Sequence, residues 1–150
     1  MRADLIMITR NVWTRLFDTL AIPQDTVPSM PTGQRSLVAG IRFHGTVYGL
    51  MVQAHENVVR QWAGQLFDCA PDECTDADLT DVLGELSNVL GGGFKHRLSG
   101  SSHLGLPEMK FGRPNDIFDD GHLSVSVALA DEVGPFTMMI WHFDEAEGAG

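Results

Sequence analysis

Residues 79–98 constrain the fold more than any other stretch of this sequence. Apolar side chains recur there three and four positions apart, at Leu79, Val82, Leu83, Leu86, Val89, Leu90 and Phe94. This spacing is typical of a helix that buries one stripe against a core. The sequence therefore predicts one long helix over residues 79–98. At about 100° per residue, a second set falls on its opposite, solvent-facing side: Asp81, Glu85, Asn88 and Gly92.

Small residues interrupt this helix, at Gly84 and at three consecutive glycines, residues 91–93. Each glycine costs a helix about 1 kcal/mol relative to alanine. Asn88 is also unfavourable inside a helix, because its side chain competes for backbone hydrogen bonds. Something other than helix stability must favour these residues, and the close approach of another backbone is one such reason.

Composition places the chain among ordinary globular proteins, with 43% hydrophobic and 20% charged residues. We expect residues 1–150 to form a single domain and residues 144–150 to be a frayed tail. The net charge of −10 argues against binding to nucleic acid or to an anionic membrane, since both require a positive surface. A protein or a small solute is the expected partner.

The first residues lack a secretory signal and no apolar run reaches membrane-spanning length, so a cytoplasmic location is expected.

The other segments alternate between helical and strand periodicity. We predict an amphipathic helix over residues 5–20, an irregular surface connection rich in proline, and a second helix over residues 55–67. Strand patterns cover residues 36–43, 46–53, 102–110, 122–130 and 134–143, with a loop at 111–121 and Gly100 as a helix C-cap. The predicted fold class is α+β, with helices packed against a mostly antiparallel sheet of about five strands.

An acidic segment, residues 68–76, precedes the long helix and contains both cysteines, Cys69 and Cys74. Its last part offers Asp76 or Asp78 as the N-cap of the helix. The cysteines could form a metal site with neighbouring acids, but no CxxC or suitably spaced histidine completes one. We therefore interpret the segment as a solvated loop with reduced thiols. The acids weighed for that metal site were Asp68, Asp72 and Glu73.

Common catalytic signatures are missing from the sequence: it contains no GxSxG, HExxH, P-loop or dinucleotide-binding motif. The six histidines are scattered over separate elements, and surface or hydrogen-bonded roles are the favoured interpretation. The tryptophans, Met138 and Met139 fit a core better than a cofactor pocket. Glu85 and Asn88 are left as the candidates for chemistry.

Residues 81–92 read Asp-Val-Leu-Gly-Glu-Leu-Ser-Asn-Val-Leu-Gly-Gly. This segment resembles the signature of the CheX/CheC chemotaxis phosphatases, in which Gly-Glu-Leu-x-Asn-x-x-x-Gly carries a catalytic Glu-x-x-Asn. Residues 104–112 resemble the proline-containing strand that follows in CheX-type members, and the order of elements matches across nearly the whole chain. A single Glu-x-x-Asn resembles the CheX type rather than the two-site CheC type. The three consecutive glycines depart from the family pattern and predict a loosened helix after the motif.

The resemblance implies hydrolysis of the phosphoaspartate on a CheY-like receiver domain of a response regulator. Asn88 would orient the attacking water, and Glu85 would pair with the receiver's lysine. Asp81, Gly84, Gly91 and Gly92 would form the docking surface. The phosphatase would hold no metal, because the receiver supplies Mg²⁺.

The family resemblance also implies a homodimer whose sheets join at edge strands, and residues 134–143 fit either such an edge or a central strand. Two alternatives to catalysis remain at this point. The domain could bind a receiver or a flagellar-switch component without hydrolysing anything. It could also be a small-molecule sensor, with an apolar pocket between sheet and helices and an occluded Glu85.

Overall fold

The computed structural model describes residues 1–26, 29, 32–98 and 103–145. Three helices lie on one face of an antiparallel sheet, which confirms the α+β class. The helices are α1 (Arg2–Phe17), α2 (Glu56–Phe67) and α3 (Asp76–Lys95). The strands are β1 (Ile22–Pro23), β2 (Ser36–His44), β3 (Tyr48–His55), β4 (His103–Leu104), β5 (Glu108–Phe111), β6 (Gly121–Ala130) and β7 (Pro135–Phe143).

The sheet has seven strands in this part of the chain, two more than expected. One is the two-residue strand β1, which lies inside the predicted irregular connection. The other arises because the single strand predicted over residues 102–110 is divided into β4 and β5. Pro107, between them, has no N–H to donate to a strand ladder. Both pieces nevertheless pair with the same neighbour, β2.

The strand order is β1-β6-β7-β3-β2-β4, with β5 also on β2. The β7 strand pairs with β3 on one side and with β6 on the other. Residues 134–143 therefore supply a central strand, and the edge-strand alternative for this segment is excluded. On the side of β6 away from β7, residues 121–127 have no neighbouring strand within the described ranges, because β1 pairs only with the last residues of β6.

The helix α3 begins earlier than the apolar pattern indicates, and the prediction of Asp76 or Asp78 as its N-cap is wrong. Thr75 is the cap: its hydroxyl accepts the Asp78 N–H at 3.2 Å, and the Asp78 carboxylate accepts the Thr75 N–H at 2.9 Å. This reciprocal capping box satisfies two backbone donors that a helix start otherwise leaves free. Polar first-turn residues carry no apolar periodicity, so the pattern missed this turn.

The end of α3 also differs from expectation. The helix continues without interruption through all three glycines and ends at Lys95, three residues before the predicted end at residue 98. The predicted cap Gly100 lies outside the described residues, as does most of the predicted tail, residues 146–150. Within the described ranges, no helix is both long enough and apolar enough to cross a membrane.

The main core lies between the sheet and the helices, and an aromatic cluster is at its centre. Trp13 of α1 stacks on Phe136 of β7, with ring centroids 4.5 Å apart, and Trp62 of α2 meets both rings edge-on. Both indole N–H groups donate to one carboxylate oxygen of Asp131, at 2.9 and 2.8 Å. Asp131 also accepts the backbone N–H groups of residues 133 and 134. One acidic side chain thus joins two helices to the β6–β7 turn.

A smaller apolar cluster covers the opposite face of the sheet. Phe118, from the predicted loop 111–121, packs edge-on against Trp141 and Phe143. Gly40 provides the room, because a Cβ there would lie 2.7 Å from the Phe118 ring. The loop is therefore folded over the sheet. The three tryptophans, Met138 and Met139 are core residues, as predicted.

Candidate functional site

The two faces of α3 are arranged as the spacing predicts. Leu86 and Leu90 are buried, at 0% and 1% exposure. Glu85 and Asn88 are exposed, as is Asp81 one turn earlier. Val89 is only half-buried, because it borders the groove between α1 and α3 rather than the sheet. Glu85 and Asn88, three positions apart, lie on adjacent turns of one face.

Neither candidate side chain is used to hold the fold together. Within the described residues, the Glu85 carboxylate and the Asn88 carboxamide have no hydrogen-bond or ion-pair partner. Both polar groups are therefore available to a second molecule. The sensor hypothesis predicts an occluded Glu85, and the exposed position of this residue does not fit it.

Two of the predicted docking glycines, Gly84 and Gly91, face the interior. A Cβ on Gly84 would lie 3.2 Å from the Met109 side chain of β5. A Cβ on Gly91 would lie 3.0 Å from Leu104 of β4 and 3.3 Å from Ile41 of β2. Small residues are needed at these two positions because α3 lies close to the chain's own strands. The sequence analysis expected these two glycines to let a receiver approach. In the structure they let the chain's own strands approach α3.

The other two glycines of the run differ from each other as well. A Cβ on Gly92 would have no atom within 4 Å, and this residue lies beside the exposed face, as predicted. Gly93 faces α1, where its Cβ would meet Ile8 at 3.1 Å. Of the four predicted docking residues, Asp81 and Gly92 are therefore the two that lie on the open side of the helix.

Asn88 lines a groove between α1 and α3 that the sequence patterns did not reveal. The groove has a volume of about 510 Å³. Its polar lining consists of Asn11, Arg15, Asn88, His96 and Arg97. Arg97 reaches across it to Asp4 of α1, with 3.4 Å between the charged atoms. A basic rim beside Asn88 is notable in a chain of net charge −10. Its residues come from α1 and from the turn that follows α3, far apart in sequence, so only the packed structure brings them together.

An ion-pair network holds the beginning of α3 in place. The Arg35 guanidinium donates to Glu56 of α2 and to Asp76 of α3, at 3.0 and 2.9 Å. These hydrogen bonds hold the pKa of the Glu56 carboxyl and that of the Asp76 carboxyl below their ordinary values. The same contacts raise the pKa of Arg35, which stays charged. The motif helix is thus tied to α2 at the end remote from the groove.

No candidate metal cluster surrounds Glu85 or Asn88 in the described residues. The one group of three possible ligands found there is Cys69, Cys74 and Asp78, before and within the first turn of α3. Two histidine pairs, His44 with His103 and His122 with His142, face each other across neighbouring strands, and neither belongs to such a group.

The family model described as chemotaxis phosphatase CheX matches residues 37–129, more than half of the chain. The chain therefore belongs to the CheX family. No curated protein matches the sequence significantly.

Solved structures support the fold over almost the whole chain. A CheX chemotaxis protein from Vibrio vulnificus superposes with a TM-score of 0.66 at 16% identity, covering 92% of this chain and 93% of that one. A CheX from Desulfovibrio desulfuricans gives 0.63 at 19% identity, with 92% and 95% covered. A CheX–CheY–BeF3–Mg²⁺ complex from Borrelia burgdorferi gives 0.65 at 12% identity, with 95% and 97% covered. At such identities these likenesses show the fold alone.

Proposed function

We propose that this protein accelerates hydrolysis of the phosphoaspartate on a CheY-like receiver domain. The observation that carries the proposal is the placement of Glu85 and Asn88. A CheX-family chain presents both side chains of the motif on an open helix face, with no partner among the described residues. The relative solved together with CheY makes a receiver the natural partner class.

Asn88 is the residue that acts on the phosphoryl group. An acyl phosphate is already reactive, so a helper protein needs mainly to place a water in line with the phosphorus. The Asn88 carboxamide offers both a donor and an acceptor for that water, as a glutamine does in GTPases. Magnesium comes with the receiver, and this chain needs no metal of its own for the step.

Glu85 sets the register of the complex. A carboxylate one turn from Asn88 can form a charge-assisted hydrogen bond with the receiver's active-site lysine. The basic rim, formed by Arg15 and Arg97, lies beside Asn88 and complements a partner site that carries phosphate and carboxylate groups. Docking therefore uses Asp81 and Gly92 on the helix and the cations of the groove, whereas Gly84 and Gly91 set the spacing between helix and sheet.

Phosphate release from phosphorylated receivers tests the proposal. We expect the wild-type chain to accelerate release and Asn88→Ala to abolish the acceleration while the melting temperature stays unchanged. Asn57→Ala is the matched control, because Asn57 is also an exposed helical asparagine but lies on α2. Full activity of Asn88→Ala would refute the mechanism. Receiver binding without faster release by the wild-type chain would identify a non-catalytic binding module instead.

We also propose that the protein is a homodimer. Because β7 is central, we place the contact at the outer edge of β6, residues 121–127, where a second sheet could extend this one. Light scattering should give twice the monomer mass. A proline at Ser126, a residue of this edge whose carbonyl oxygen accepts a hydrogen bond from Arg2 at 3.2 Å, should return the protein to a monomer. A monomeric wild-type protein would refute this part of the proposal.

A further inference from the structure

The connection between α2 and α3 brings two thiols together. Cys69 follows the left-handed residue Asp68 that ends α2, and Cys74 directly precedes the cap Thr75 of α3. Their sulfur atoms lie 2.7 Å apart, and both are free thiols. The sequence interpretation of a solvated loop is therefore incomplete, because this segment is folded around a dithiol.

The backbone between the cysteines is held by α2. Arg60 donates to the carbonyl oxygens of Cys74 and Pro71, at 2.7 and 3.3 Å. Gly64 lets the segment lie close, since a Cβ there would be 2.8 Å from the Cys69 carbonyl oxygen. Closing the two sulfurs to the about 2.05 Å of a disulfide needs only a short further movement. The reduced form is thus already arranged for cross-linking.

A metal site fits the same atoms less well. The Cys69, Cys74 and Asp78 ligand atoms lie within 4.8 Å of one another. Two thiolates on one tetrahedral zinc, with Zn–S bonds of about 2.3 Å, lie about 3.8 Å apart, well beyond the 2.7 Å found here. Asp78 is also engaged, since its carboxylate accepts the Thr75 N–H in the capping box.

We propose that Cys69 and Cys74 form a redox-active pair that exchanges with low-molecular-weight disulfides and closes reversibly across the start of α3. This inference stands independently of the phosphatase proposal. The thiolate of Cys69 attacks the small disulfide, forms a mixed disulfide and releases one thiolate. Cys74 then attacks the Cys69 sulfur and loses its proton to the first released thiolate. The second small thiolate leaves and takes up the proton that Cys69 had given to the solvent. Two protein thiols are oxidised as one small disulfide is reduced to two thiols.

The order of attack follows from exposure. Cys69 is half-buried and reachable, whereas Cys74 is 5% exposed. Burial, the hydrogen bond with Cys69 and the nearby Asp78 carboxylate together raise the pKa of the Cys74 thiol to about 11. Cys74 is therefore a poor first nucleophile in solution. Once Cys69 carries a leaving group, its sulfur is presented directly to Cys74.

Oxidised and reduced glutathione are the probes, with intact mass measured after alkylation of the whole chain. We expect the wild-type chain to become two hydrogens lighter, without a lasting glutathione adduct. Cys74→Ser should accumulate one adduct, on Cys69, and Cys69→Ser should react slowly. Asp78→Asn should speed closure, because it removes the charge that disfavours the Cys74 thiolate. The oxidised protein should melt several degrees higher than the reduced one, since a cross-link restricts the unfolded chain.

Three outcomes would overturn the proposal. They are a lasting glutathione adduct on the wild-type protein, a lower melting temperature after oxidation, and retention of one zinc per chain that protects both thiols from alkylation. Phosphate release separates this pair from the proposed function. Asn88 lies about 20 Å further along α3 than the cap, so Cys69→Ser should retain the activity that Asn88→Ala loses.

Discussion

The two faces of α3 differ in whether their side chains pack against the rest of the fold. On the inner face each position is set by contact with the sheet or with α1 and α2, down to the glycines that allow close approach. On the outer face Glu85 and Asn88 make no contact that the described fold requires. Substitutions on the inner face should therefore change stability, and those on the outer face should change the interaction with a partner. This difference can be challenged one residue at a time.

Leu86→Ala should have the largest effect on stability. Its side chain is fully buried, and truncating a core leucine costs about 2–5 kcal/mol of unfolding free energy. The neighbouring substitution Glu85→Ala should stay within about 0.5 kcal/mol, as is usual for exposed sites. Urea denaturation measures both values. Similar losses for the two variants would contradict the division between the faces.

Arg15→Glu should lower the association rate constant with a phosphorylated receiver about tenfold, which corresponds to about 1.4 kcal/mol of activation free energy. The reversal removes a cation from the groove that contains Asn88. Arg10→Glu is the matched control, because Arg10 is an exposed arginine of the same helix that lines a different hollow. The difference between the two variants should shrink in high salt, since exposed charges are screened. Stopped-flow association rates measure it, and equal effects would remove the groove from the docking surface.

Two adjacent glycines give an internal comparison of opposite sign. Gly92→Ala meets open space and should stabilise α3 by about 1 kcal/mol. Gly91→Ala places its Cβ 3.0 Å from Leu104 and 3.3 Å from Ile41. Overpacking of about 1–3 kcal/mol should outweigh the same gain in helix propensity. Thermal unfolding of both variants gives the sign of each change in stability. Stabilisation by Gly91→Ala would show that the strands can move to accommodate the added Cβ.

The ion pairs of Arg35 should make the smallest contribution to the free energy of unfolding, and acid titration should reveal it. Asp76 is exposed, yet it stabilises the fold through its ion pair with Arg35. Glu56 and Asp76 have lowered pKa values in the folded state, so their contribution is present above their ordinary values of about 4.3 and 3.9. It is lost as pH falls through the lower folded values. Arg35→Gln should thus be less stable than wild type at pH 7, and the difference should shrink below about pH 4. The contact of Arg35 with the Phe111 ring, 4.2 Å from the ring centroid, does not depend on these carboxylates and remains. A constant difference down to pH 2 would contradict this.

Periodicity was sufficient to predict the class of fold, α3 and the exposed pair Glu85 and Asn88, because a two-sided helix leaves a regular trace in sequence. It could not reveal the groove, because Arg15 lies on α1 and Arg97 in the turn after α3, and these parts of the chain meet only after packing. It misassigned the cap, since Thr75, Asp76 and Asp78 are all good capping residues and only geometry distinguishes them. The dithiol was missed for a similar reason: the 3₁₀ turn Pro71–Glu73 brings the two sulfurs together.

The carboxylate of Asp131 has a consequence for how the chain reaches its native state. It binds an indole near the amino terminus and another in the middle of the chain, 118 and 69 residues away in sequence. During synthesis Trp13 and Trp62 therefore leave the ribosome long before their shared acceptor does. The stacking partner of Trp13, Phe136, emerges later still. Final docking of α1 must wait for the last hairpin, so we expect this domain to complete its folding only after β7 has left the ribosome.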